Sequence, residues 1–142
     1  MVGLDGDPSV LEIAHQKAAR AGVALTLDEG MAYQLPYPGE SFDRVVSSLV
    51  LHHLTAENKQ RTMREIHRIL RSGGELHIVD FGKPRSIYAR LLSQVIRLLE
   101  EAEDNIQGLL PEMLRSAGFQ QVVETFQYDT ILGGLSHYKA KK

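Results

Sequence analysis

Residues 1–27, MVGLDGDPSVLEIAHQKAARAGVALTL, read as strand, capped helix and strand. Met1 to Asp5 is a short apolar run that ends in an acid. Asp7 suits an N-cap, because its carboxylate can accept from amides that a helix leaves open at its start. Pro8 suits the first helical position, where no amide is needed. Val10, Leu11, Ala14, Ala18 and Ala21 then recur at helical spacing, and Gly22 supplies the stop. Val23 to Leu27 is the second strand. Two strands joined through a helix run parallel, and a parallel sheet needs cover on both faces.

The same alternation continues along the chain. Asp28 to Ser41, with Pro36, Pro38 and Gly39, reads as a loop. Phe42 to Ser48 reads as a buried strand carrying Val45 and Val46. Thr55 caps a helix whose apolar face is Met63, Ile66, Ile69 and Leu70, closed by Gly73 and Gly74. Leu76 to Phe81 is the next strand, Ile87 to about Leu99 a helix with a broad apolar face, and Pro111 to Ala117 a short helix ended by Gly118. Phe119 to Tyr128 and Ser136 to Ala140 close the chain as strands with no helix between them, so they should form an antiparallel hairpin. The fold class is α/β, a doubly wound and mostly parallel sheet. Ligands of such sheets lie beyond the carboxyl ends of the strands, which singles out Asp5 and Gly6, Glu29 to Ala32, Ser48 to His53, and Asp80 to Lys83.

The 142 residues suit one domain, and 43% apolar with 24% charged residues excludes a disordered, collagen-like or coiled-coil chain. Sixteen basic against 18 acidic side chains, a net charge of −2, give no electrostatic case for nucleic acid. The sequence has no cysteine, which removes disulfide scaffolds, thiolate zinc sites and a cysteine nucleophile. No apolar run approaches the roughly 18 residues of a membrane span, and no signal peptide is visible. The expectation is a soluble, cytoplasmic protein.

Asp5, ending its strand, is the expected partner of two ribose hydroxyls, since a carboxylate can accept from both. Asp5-Gly6-Asp7-Pro8-Ser9-Val10-Leu11 is followed by Glu29-Gly30-Met31-Ala32-Tyr33-Gln34-Leu35-Pro36-Tyr37-Pro38, then Ser41-Phe42-Asp43, Leu51-His52-His53-Leu54, Arg68-Ile69-Leu70-Arg71-Ser72-Gly73-Gly74 and Ala117-Gly118-Phe119. In that order and spacing these segments resemble class I S-adenosylmethionine-dependent methyltransferases, nearest to the quinone-biosynthesis and small-molecule branch. The resemblance covers nearly the whole chain.

The resemblance implies a Rossmann-like methyltransferase sheet, S-adenosyl-L-methionine as cofactor and a small-molecule acceptor. It implies that Asp5, with Gly6, holds the ribose, that Met31 and Ala32 contact adenine, and that Ser48 lies near the methionine portion. The loop from Leu51 to Leu54 would line the junction of cofactor and acceptor. Two departures stand out. Met31 replaces the family's usual Asp or Asn with a thioether, a weak acceptor that packs on ring faces. The family's Gly-rich loop and its strand fall before the point where this sequence begins. The expectation is therefore a single truncated domain over 1–142, with the first strand and first helix absent. Unpaired strand edges would favour a homodimer, with or without exchanged elements.

His52 and His53 point in different directions and have no ligand partners at metal spacing, so no metal is expected. His53 is the candidate base facing the acceptor. His15, His67 and His77 read as solvated or packed, Asp80-Phe81-Gly82 as a strand end turning into a loop, and Lys83 and Arg85 as solvated charges. Arg61, Arg64, Arg68 and Arg71 share a helical spacing and read as a solvated outer face. The alternatives are a non-catalytic fragment acting in assembly and, ranked lowest, a nicotinamide-binding oxidoreductase.

Overall fold

A computed structural model describes residues 1–81, 108–130 and 133–142. The chain forms two compact units, Met1–Pro36 and Tyr37–Lys142.

The first unit is strand, helix and strand: β1 (Val2–Asp5), α1 (Pro8–Ala21) and β2 (Thr26–Glu29). The two strands pair in parallel, with Val2 opposite Thr26 and Asp5 opposite Glu29. Asp7 caps α1 as its side chain accepts from the Ser9 amide, Pro8 is the first helical residue, and Gly22 ends the helix in the left-handed region at φ 65°. The Ser9 side chain and amide hold the Asp7 carboxyl below its usual range. Strand β2 begins three residues later than the expected Val23, because Thr26 is the first residue to bond back, to the Met1 carbonyl at 3.1 Å.

The second unit contains β3 (Phe42–Ser48), a single 3-10 turn (Leu51–His53), α2 (Ala56–Ile69), β4 (Leu70–Phe81), α3 (Leu110–Ser116), β5 (Gln120–Thr130) and β6 (Gly133–Lys141). Its sheet runs in the order β3-β4-β6-β5. The β3–β4 pair is parallel, while β6 lies antiparallel to both β4 and β5. The closing hairpin is therefore as expected, but among the described residues the six strands form two sheets rather than one.

Two further expectations are corrected in this unit. Strand β3 has the predicted bounds but is not buried on both faces, since Val46 is 68% exposed. Helix α2 ends at Ile69, and Gly73 and Gly74 lie inside β4 instead of stopping the helix. Leu70 is already a strand residue because it pairs with Phe42, and the Gly73 and Gly74 backbones bond to Lys142 at the far end of the chain. Gly74 is required by close approach: a Cβ there would meet the Arg71 carbonyl oxygen at 2.9 Å and that of Asp43 at 3.2 Å.

The core lies on one face of this sheet. Thr55 caps α2, its hydroxyl accepting from the Asn58 amide, and the helix turns Met63, Ile66 and Ile69 inward. These residues are buried along with Leu76 and Ile78 of β4, Leu110 and Leu114 of α3, Phe119, and Tyr138 and Ala140 of β6. Each fully buried aliphatic side chain contributes about 1.5–3 kcal/mol. His67 packs edge-on against Phe119 at 5.1 Å. Of the arginine stripe, Arg68 binds Glu65 and the Tyr37 carbonyl. Arg71 falls on β4 rather than on the helix and pairs with Asp43. The expected helix from Ile87 to Leu99, together with Lys83 and Arg85, lies outside the described residues. Among the described residues no helix is long and apolar enough to cross a membrane.

Candidate functional site

In the first unit the candidate residues meet where β1 and β2 end. The half-buried Asp5 accepts from the Asp7 amide at 2.9 Å through Oδ1, and its carbonyl accepts from the Gly30 amide at 3.0 Å. Helix α1 therefore starts directly behind this carboxylate, and Oδ2 is left to accept from a ligand. Gly6 lies against Met31, where a Cβ would stand 3.1 Å from both the thioether sulfur and its methyl. A larger residue at Gly6 would displace Met31, whose side chain is 48% exposed. The Met31 carbonyl accepts from the Gln34 amide at 3.0 Å, closing a turn that contains Ala32. Asp5, Gly6, Met31 and Ala32 are thus neighbours in one loop cluster. A carboxylate with a free oxygen beside an exposed thioether fits a ribose and a purine face.

The second unit builds its candidate site after β3. Ser48 ends the strand opposite Val79. Leu49 then takes φ 53°, a left-handed conformation that costs a non-glycine residue about 1–2 kcal/mol, while its amide bonds to the Val79 carbonyl at 2.8 Å. This bend leads into the Leu51–His53 turn.

Asp80, fully buried at the end of β4, holds that turn. Its Oδ2 accepts from the amides of Leu51 at 2.7 Å and Val50 at 3.2 Å. Its Oδ1 accepts from the Phe81 amide and from His52 Nδ1, both at 2.8 Å. A carboxylate can only accept, so His52 Nδ1 carries the hydrogen. A buried charge with four donors on it is stable only while those donors are kept in place. His52 is only 5% exposed and packs edge-on against Phe81, with ring centroids 4.7 Å apart. His53 is exposed and its ring lies 3.9 Å from that of His52.

The adjacent histidines therefore divide their work. His52 anchors the turn, and His53 presents an imidazole to the outside. Sequence reasoning missed Asp80 as the anchor and read it as a strand end turning into a loop. The available signal was an acid at the carboxyl end of a strand, in a segment already marked for examination. Among the described residues no three His, Cys, Asp or Glu side chains gather as a metal site.

The family described as "Methyltransferase domain" matches residues 1–78. The chain belongs to this family. It is 35% identical over 119 residues to the chloroplastic 2-methyl-6-phytyl-1,4-hydroquinone methyltransferase 1 of Oryza sativa subsp. japonica, covering 84% of this chain and 33% of that protein. It is 28% identical over 166 aligned positions to the demethylmenaquinone methyltransferase of Listeria monocytogenes serotype 4a, covering 100% of this chain and 68% of the relative. The methyltransferase-domain chain thus spans about a third of the rice relative. Among solved structures, a SAM-dependent methyltransferase from Methanosarcina mazei superposes with a TM-score of 0.73 at 19% identity, over 99% of this chain and 81% of the other. A Bacillus halodurans C-125 protein gives 0.77, also at 19% identity, over 99% and 82%. These likenesses establish the Rossmann-like methyltransferase fold expected from the sequence.

Proposed function

We propose that this domain serves S-adenosylmethionine-dependent methyl transfer to a small aromatic acceptor of the hydroquinone class. Family membership over residues 1–78 carries the reading, and the names of the rice and Listeria relatives, a hydroquinone and a demethylmenaquinone methyltransferase, suggest the acceptor class. Asp5 supports it with a carboxylate whose Oδ1 accepts from the Asp7 amide and whose other oxygen is left for a ligand. In this reading Asp5 and Gly6 hold the ribose, Met31 and Ala32 the adenine, and Ser48 the methionine portion. Met31 contributes dispersion against the purine face in place of a polar contact. When bound, the cofactor supplies a methyl group on a positively charged sulfur.

The protein's part is chiefly positional, because holding two reactants in line replaces a bimolecular encounter. Methylation of a ring carbon forms a carbon–carbon bond and requires that carbon to lose its proton. His53, exposed and beside the anchored His52, receives that proton in this reading. His52 and Asp80 act as positioning residues that fix the turn. We also propose a cytoplasmic homodimer, with or without exchanged elements. Its support is β3, an edge strand of its sheet with Val46 68% exposed.

The test is transfer of labelled methyl from S-adenosylmethionine to a demethylated hydroquinone. His53→Ala should lower kcat by about 10²–10⁴ with little change in KM, and Asp5→Ala should raise KM for the cofactor. A chain that binds both molecules without transferring methyl would favour a non-catalytic assembly role. Sedimentation as a monomer at high concentration would defeat the dimer.

A further inference from the structure

The sequence has four methionines, and the structure sets one of them apart. Met63 is fully buried in the core of the second unit, and Met113 of α3 is half-buried. Met1 is 80% exposed but stands at the start of the chain, away from the candidate residues of its unit. Met31 is exposed too, and it lies in the loop cluster after β2, against Gly6 and next in space to the segment that begins with Asp5. An accessible thioether inside a candidate binding cluster carries a chemistry that methyl transfer does not use, the oxidation of sulfur.

One side of that sulfur is closed. A Cβ on Gly6 would stand 3.1 Å from both Met31 Sδ and the Met31 methyl carbon, and 3.7 Å from the Gly30 carbonyl oxygen. The backbone around it is held, because the Gly30 amide donates to the Asp5 carbonyl and the Gln34 amide to the Met31 carbonyl, both at 3.0 Å. An oxygen added to the sulfur on the Gly6 side would crowd that backbone and face the Gly30 carbonyl oxygen, negative against negative. It therefore projects from the exposed side. That is also the side from which a flat aromatic ring reaches the thioether.

We propose that Met31 is a reversible oxidation site whose sulfoxide weakens binding of the cofactor's adenine. This rests on the reading in which Met31 and Ala32 hold that ring. The oxidant is a peroxide. The sulfur lone pair attacks one peroxide oxygen, an S–O bond forms as the O–O bond breaks, and hydroxide departs. The proton on the new S–OH group passes to that hydroxide, leaving sulfoxide and water, so sulfur gives up the two electrons that the peroxide gains. The thioether is soft and apolar and packs on a purine face, whereas the sulfoxide is polar and sets its oxygen where the ring would lie. A methionine sulfoxide reductase with a thiol reductant reverses the step. Bound cofactor would cover the exposed side of the sulfur, so occupancy and oxidation oppose one another.

The test treats the whole chain with hydrogen peroxide, quenches with catalase and follows each methionine by peptide mass. Met31 should take up oxygen at least about tenfold faster than the buried Met63. Saturating S-adenosylmethionine should slow oxidation of Met31 by about tenfold and leave Met1 unchanged. Calorimetry should then show S-adenosylmethionine binding weakened by about tenfold after oxidation and restored once the reductase has returned Met31 to the thioether. Met31→Leu, compared with itself before and after peroxide, should hold its affinity within about twofold. Unchanged binding after complete oxidation of Met31, an equal loss in Met31→Leu, or a loss that survives reduction of Met31 overturns this proposal alone. A folded, unoxidised chain that binds no S-adenosylmethionine overturns the cofactor reading and this proposal with it. Reversal by the reductase in the wild type decides the matter even where Met31→Leu fails to fold.

Discussion

The units 1–36 and 37–142 are built from the same local devices, yet those devices bury very different amounts of surface. Helix α1 has a capping Asp7, a leading Pro8 and a left-handed Gly22. Helix α2 has a capping Thr55 and passes directly into a strand. Every residue of the first unit keeps some exposure, with Val10 at 43% and Ile13 at 52%. In the second unit, Met63, Leu76, Ile78 and Leu110 are fully buried. Capping and spacing decide where an element forms, while burial depends on what the rest of the chain brings against it. A two-stranded sheet with one helix is marginal alone, whereas a four-stranded sheet carrying α2 and α3 has a core.

Substitutions should separate the two units most sharply. Met63→Ala, inside the second unit, should cost about 2–5 kcal/mol in denaturant unfolding. Ile13→Ala, on the exposed face of α1, should cost under about 1 kcal/mol. Equal losses would remove the distinction. Asp80→Asn should come next, at about 1–3 kcal/mol, because the amide would present hydrogens to groups that themselves donate. The same variant should slow methyl transfer more than it weakens cofactor binding, measured as a fall in kcat against KM.

A smaller effect follows from Glu75, whose folded-state pKa of about 2 lies below its ordinary 4.5, chiefly through the hydrogen bond from Lys139. A depressed carboxyl stabilises the fold above its unfolded pKa and loses that contribution as pH falls through the folded value. The Tm difference between wild type and Glu75→Gln should therefore be full above pH 4.5 and shrink toward about 2. A difference that grows on acidification would contradict the Lys139 pairing. The smallest effect is Asp7→Ala, which should lower α1 helicity by circular dichroism while leaving the second unit's hydrogen-exchange protection unchanged.

Much of the fold was legible in the chain. Asp7, Pro8 and Gly22 act over two or three residues, so their roles can be read locally, and Phe42 to Ser48, with Val45 and Val46 at its centre, has the expected bounds. The start of β4 was not legible, because Leu70 becomes a strand residue only by pairing with Phe42, and Gly73 and Gly74 are held by Lys142 at the far end of the chain. The site divides in the same way. That Asp5 ends β1 and Met31 follows β2 could be read by position, but adjacency alone does not say which of His52 and His53 is buried. Asp80 makes that choice from 28 positions away.

The central claim is that the first unit, for all its exposure, carries the cofactor's adenosine half. Titration calorimetry of the full chain with S-adenosylmethionine tests it most directly. The account predicts saturable binding that Asp5→Ala abolishes or severely weakens while the far-ultraviolet circular dichroism stays unchanged. Absence of heat from a folded chain at millimolar ligand, or full binding by the Asp5→Ala variant, would contradict it.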